Sequence, residues 1–95
     1  MSYYLLRVHL YRSNPSDEIA VENSMISAGF LRRIVEHNET YCMPPGTFHI
    51  VSDLPFDRVY EMAGQAADQG GDKPFALVMG EITRMGFFGL QKCAP

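Results

Sequence analysis

The chain has 95 residues, 46% of them hydrophobic and 20% charged, with six Phe and five Tyr; this supports a single folded domain over residues 1–95 and argues against disorder. Eight basic against eleven acidic residues leave a net charge of −3, which excludes a tight, nonspecific nucleic-acid binder, because that affinity comes from counterions released by clustered Lys and Arg. No stretch approaches the length needed to span a bilayer and the N-terminus lacks the basic, apolar, small-residue order of a signal peptide, so no membrane partner and a cytoplasmic address are expected.

The first predicted element is a strand from Tyr3 to Arg12. Tyr4, Leu6, Val8 and Leu10 alternate with Tyr3, Arg7, His9 and Tyr11, so one sheet face is apolar and the other carries groups able to bind or to do chemistry. Asn14 as cap, Pro15 at the first helical position and Asp17 with Glu18 in the first turn predict a helix from Pro15 to Ala28. Its apolar side, Ile19, Val21, Met25, Ile26 and Ala28, is imperfect, and Gly29 stops it. Phe30 to Glu36 reads as a second strand, followed by a turn at His37, Asn38 and Glu39 into Thr40 to Met43; Pro44, Pro45 and Gly46 then interrupt any pairing.

Thr47 to Val51 is the third strand, with Phe48 and Ile50 assigned to the core. Asp53 is the expected cap of a second helix whose Val59, Met62, Ala63 and Ala66 follow helical spacing until Gly70 and Gly71. Phe75 to Met79 forms the fourth strand, and Phe87 to Leu90 can add a short fifth. Strand, helix, strand, strand, helix, strand predicts an α+β fold: a ferredoxin-like βαββαβ sandwich with an antiparallel sheet and two helices on one face. His9 and His49 are then expected on the same open surface. Cys42 and Cys93 belong to no CxxC pair and are read as reduced thiols.

The run Ala28-Gly29-Phe30-Leu31-Arg32-Arg33-Ile34, then Tyr41 with Met43-Pro44 and Phe48, resembles a family of small bacterial proteins that includes SinR-like proteins and the GhoS-like type V antitoxin endoribonucleases. The likeness continues through Val59, Met62, Ala63, Ala66 and Ala67, then Phe75 to Val78 and Phe88-Gly89-Leu90. It implies a ferredoxin-like fold related to VapD-like ribonucleases and small CRISPR-associated nucleases, assembly as a homodimer, and action on RNA in a toxin–antitoxin setting, with the toxin partner unspecified. The CRISPR-associated nucleases carry an Asp for a metal at the end of strand one, where this chain has Tyr11 and Arg12.

Metal-independent cleavage of single-stranded RNA needs a base for the ribose 2′ hydroxyl, an acid for the leaving oxygen and cations around the phosphorane. His9 and His49 are the candidate catalytic pair, with Arg7 and Arg32 or Arg33 as phosphate ligands and Tyr3 and Tyr11 as stacking platforms for unpaired bases. The competing reading makes these histidines surface or interface residues and the tyrosines part of a protein contact. Arg32 and Arg33 alternate faces, so they cannot serve one phosphate from the same side. His37 with Glu36 and Glu39 is read as a solvated turn and no phosphate loop is present, so neither metal nor cofactor is expected. The alternative function is a noncatalytic dimeric interaction or ligand-binding module.

Overall fold

A computed structural model describes residues 1–93. The elements in chain order are β1 (Ser2–Leu10), α1 (Pro15–Ser27), β2 (Arg33–Glu36), β3 (Glu39–Cys42), β4 (Thr47–Ser52), α2 (Phe56–Gln69), β5 (Phe75–Ile82) and β6 (Gln91–Lys92). They make a small α+β structure with two antiparallel sheets, ordered β4-β1-β5 and β2-β3-β6. Strict alternation makes β1 the centre of the first sheet: Tyr4, Leu6 and Val8 are buried beneath the helices, and both neighbouring strands run antiparallel to it. Phe48 joins them from β4, with Ile50 packed at the margin.

Both helices cover this one face. α1 begins with a capping box, in which the Asn14 side chain accepts from the Asp17 N–H while the Asp17 carboxylate accepts from the Asn14 N–H. Only Val21 and Met25 of its apolar side are fully buried, and Ile19 and Ile26 face out, consistent with the imperfect periodicity. α2 buries Val59, Ala63, Ala66 and Ala67. Its cap is not Asp53: Pro55 stands at the N-cap with no side-chain bond, and its carbonyl accepts from Arg58 and Val59. Asp53 lies too far back in the chain to reach the first turn and faces the N-terminal amine instead. The helices meet closely, with the Ser24 hydroxyl donating to the Ala66 carbonyl at 2.6 Å.

Several expected boundaries move. The first strand ends at Leu10 because Arg12 adopts a positive φ of 56°, and the fourth runs on from Met79 to Ile82. The expected second strand touches the first sheet only at the bridge Leu31–His49, then pairs with β3 around a His37–Asn38 turn in which both residues have positive φ. Its ladder cannot extend toward Thr47, whose N–H is drawn into the Pro44 carbonyl by the Pro-Pro-Gly turn. The Arg33 carbonyl receives the His49 ring instead. Phe87 to Leu90 is not a strand; the short C-terminal strand is Gln91–Lys92, added to β3. Nor are the cysteines free, since Cys42 and Cys93 form a disulfide across 5.6 Å between Cα atoms. Both residues come from sequence-remote segments that the β3–β6 pairing brings alongside, which their spacing in the chain does not announce. Among the described residues no helix is long and apolar enough to cross a membrane.

Gly46 fastens the loop before β4 to β1. Its φ is +83°, a Cβ there would stand 2.5 Å from the Val8 carbonyl oxygen, and its own carbonyl accepts from the Val8 N–H at 2.7 Å. Gly46→Ala is therefore expected to destabilise the protein by about 1–3 kcal/mol, read as a lower urea midpoint at unchanged slope.

Candidate functional site

The sheet face away from the helices carries Tyr3, Arg7 and His9 from β1 and His49 from β4, as alternation requires. Register then separates the two imidazoles. His49 stands opposite Leu5, four residues before His9, which at about 3.3 Å per residue puts the two roughly 13 Å apart along the strand direction. Such a span is too wide for one acid and one base at a single phosphodiester, so within one chain the paired-histidine arrangement is not assembled.

His49 is also occupied. It is buried, its Nε2–H donates to the Arg33 carbonyl at 2.7 Å, and Nδ1 is left to accept from the Tyr3 hydroxyl at 3.2 Å. The Tyr3 ring meets the imidazole edge-on, and Met85 sulfur lies 3.6 Å from the same hydroxyl. This imidazole thus ties β4, β1 and β2 together, with no ring nitrogen left for substrate. Burial raises the Tyr3 phenol above its ordinary value of 10.0. Arg33 contributes its carbonyl here, while its side chain is exposed.

A second group forms at the other end of β1. β4 starts opposite Arg7, so beyond Val8 that edge of β1 has no neighbouring strand among the described residues, and a cleft of about 280 Å³ opens between it, α1 and the Pro45–Gly46 loop. Arg7, His9 and Arg32 line this cleft together with Glu18 and Glu22, over a floor that includes Leu10 and Phe48. Tyr11 packs against the His9 ring at 4.9 Å and faces solvent. Arg32 is not free: its guanidinium bonds Glu22 of α1 and the Met43 carbonyl. Arg7 and His9 are exposed.

Of the seven residues singled out by sequence, Arg7, His9 and Tyr11 thus gather at one end of the face, with Arg32 reaching the same cleft from the α1 side, and Tyr3, His49 and the Arg33 backbone lie at the other end. Glu22 as the partner of Arg32 was invisible in sequence, because the two belong to different elements and share no periodic spacing. Met85 carries no signal either, lying in a segment without regular structure. Chemically, the first group can bind a small polar ligand through Arg7 and His9 over an apolar floor, and the second is a structural joint. Compared with protein-family models, curated proteins and solved structures, the chain matches none.

His49→Ala leaves the Arg33 carbonyl without the imidazole and the Tyr3 hydroxyl with only the weakly accepting Met85 sulfur, and is expected to cost about 1–3 kcal/mol in urea denaturation, whereas His9→Ala leaves the midpoint unchanged. The raised Tyr3 value has a pH consequence with a definite sign. The fold favours the protonated phenol, so its contribution is complete below the ordinary tyrosine value and declines as pH rises through the folded value. Stability of the wild type should therefore fall above about pH 10, less steeply in Tyr3→Phe, which also removes the late component of the tyrosinate absorbance titration.

Proposed function

We propose that the protein is a noncatalytic interaction module of ferredoxin-like construction that works as a homodimer joined along β5. On this reading the Leu31–His49 bridge marks the place of the fourth strand of a ferredoxin-like sheet, beside β4. The observation that carries the dimer is the outer edge of β5, an eight-residue strand that pairs only with β1 among the described residues and holds no Lys, Pro or bulge to discourage a neighbour.

The edge has a self-complementary register. The Tyr11 N–H bond to the Pro74 carbonyl sets the ladder alternation, so the backbone of Ala76, Val78, Gly80 and Ile82 faces β1 while that of Phe75, Leu77, Met79 and Glu81 faces outward. Antiparallel pairing of two copies about a twofold axis at Val78 sets Leu77 opposite the partner's Met79 and Phe75 opposite the partner's Glu81. All four outward residues then find bonds and no like charges meet. Val78, 72% exposed in one chain, meets its twin.

Light scattering after gel filtration should give a dimer for the wild type and a monomer for Val78→Lys and for Val78→Glu alone. Mixing the two variants should restore a dimer, because opposite charges then face each other at the axis. A monomeric wild type, or variants that stay dimeric, would overturn this arrangement.

A second reading, cleavage or binding of single-stranded RNA in an antitoxin-like role, is favoured by one observation: Arg7, His9 and Arg32 surround one cleft. The GhoS-like sequence pattern adds to its support. With His49 engaged elsewhere, His9 would be the sole imidazole for acid–base work. Incubation with single-stranded RNA in chelator, read by both gel shift and cleavage, separates the readings: on the second, the RNA is retarded or cut and His9→Ala weakens that, while on the first it is neither retarded nor cut.

A further inference from the structure

The segment from residue 83 to 93 is held chiefly by one covalent bond. Residues 83–90 contain neither helix nor strand, and Phe88 is fully exposed. What fastens the segment is slight: the two-residue pairing of β6 with β3, the Cys93 N–H to the Thr40 carbonyl at 2.8 Å, and an exposed Lys92–Glu39 ion pair at 3.6 Å. Two side-chain contacts add to the attachment, Phe87 against the Tyr41 ring at 5.2 Å and Met85 against the Tyr3 hydroxyl, and Leu90 is half-buried. Against these stands the Cys42–Cys93 disulfide, closing a sequence separation of 51 residues. A bridge over so long a loop restricts the open chain far more than a short ladder does.

From this imbalance we infer that Cys42–Cys93 is a redox latch, a modification site for a dithiol reductant, whose opening releases residues 83–93 and loosens the β2–β3 hairpin while the β4-β1-β5 sheet and its helices stay folded. A thiolate of the dithiol attacks one sulfur of the bridge to give a mixed disulfide, and its second thiol displaces the protein sulfur. The Cys42–Cys93 bond breaks, two electrons and two protons pass to the protein as two thiols, and the dithiol becomes its own disulfide. Once β6 leaves, the second sheet is a two-stranded hairpin, too small to be stable alone. Its polar ties to the rest of the fold then include the Leu31–His49 bridge and the His49 bond to the Arg33 carbonyl, both on β4, and the Arg32–Glu22 ion pair on α1. The main core does not include either cysteine, so it has no reason to follow.

Release also uncovers the Tyr41 ring and the Tyr3 side of the open sheet face, converting a chemical signal into newly exposed aromatic surface. The test uses the intact protein, with and without dithiothreitol, with free thiols counted under both conditions. Reduction should yield two thiols per chain, speed tryptic cleavage after exposed Arg84 by about tenfold or more, and accelerate amide exchange at residues 39–42 and 91–93 but not at 4–8 or 59–67. The Cys42→Ser/Cys93→Ser double variant should behave like the reduced protein and ignore the reductant. Free thiols before reduction, unchanged cleavage and exchange after complete reduction, or faster exchange in the helices as well would each overturn the latch.

Discussion

The structure depends on the strand β1, which is asked to serve two directions at once. Its backbone bonds alternate, one set of residues bonding to β4 and the other to β5, while its side chains alternate between the helix-covered core and the opposite face. Tyr4, Leu6 and Val8 can be buried only if Tyr3, Arg7 and His9 are turned away from the helices. The chemistry-bearing face is therefore a consequence of making the core, rather than a separate provision. Even Tyr4, almost wholly buried, satisfies its hydroxyl through the Leu54 carbonyl at the approach to α2, so the central strand also fixes where the second helix begins.

Sequence reasoning recovered what periodicity determines. The faces of β1 and β4, Asn14 as the cap of α1 and the buried stripe of α2 all follow from spacing along one element. Register does not. Placing His9 and His49 on one face needed parity alone, but placing them within reach of one another depended on how the Pro44-Pro45-Gly46 loop sets Thr47 opposite Arg7. That loop fixes the alignment through the Gly46 carbonyl and the Val8 N–H, a contact with no local signature.

Long-range partners were likewise hidden. The pairing of Arg32 with Glu22 joins a strand approach to a helix, and the disulfide joins β3 to the C-terminal segment. Asp53 illustrates the opposite failure, a good cap residue placed before a helix that starts later, because Pro55 supplies the backbone conformation that begins α2. At His49 a side chain substitutes for a strand: the ring takes the carbonyl that a longer ladder would have used. A histidine in that position reads as chemistry in the sequence and acts as carpentry in the fold.

The contact between the two helices has one more implication. Behind α2, a Cβ on Gly70 would come within 2.6 Å of the Val21 Cα and 3.0 Å of its Cγ2, so the end of α2 abuts the α1 backbone with no room for a larger residue. Such an abutment opposes sliding of the end of α2 past α1, because close-packed backbone leaves no slack to take it up. Adaptation to mutation or to a bound molecule is thereby channelled toward the opposite side of the sheet, where the hairpin and the trailing segment are joined by few bonds and can yield.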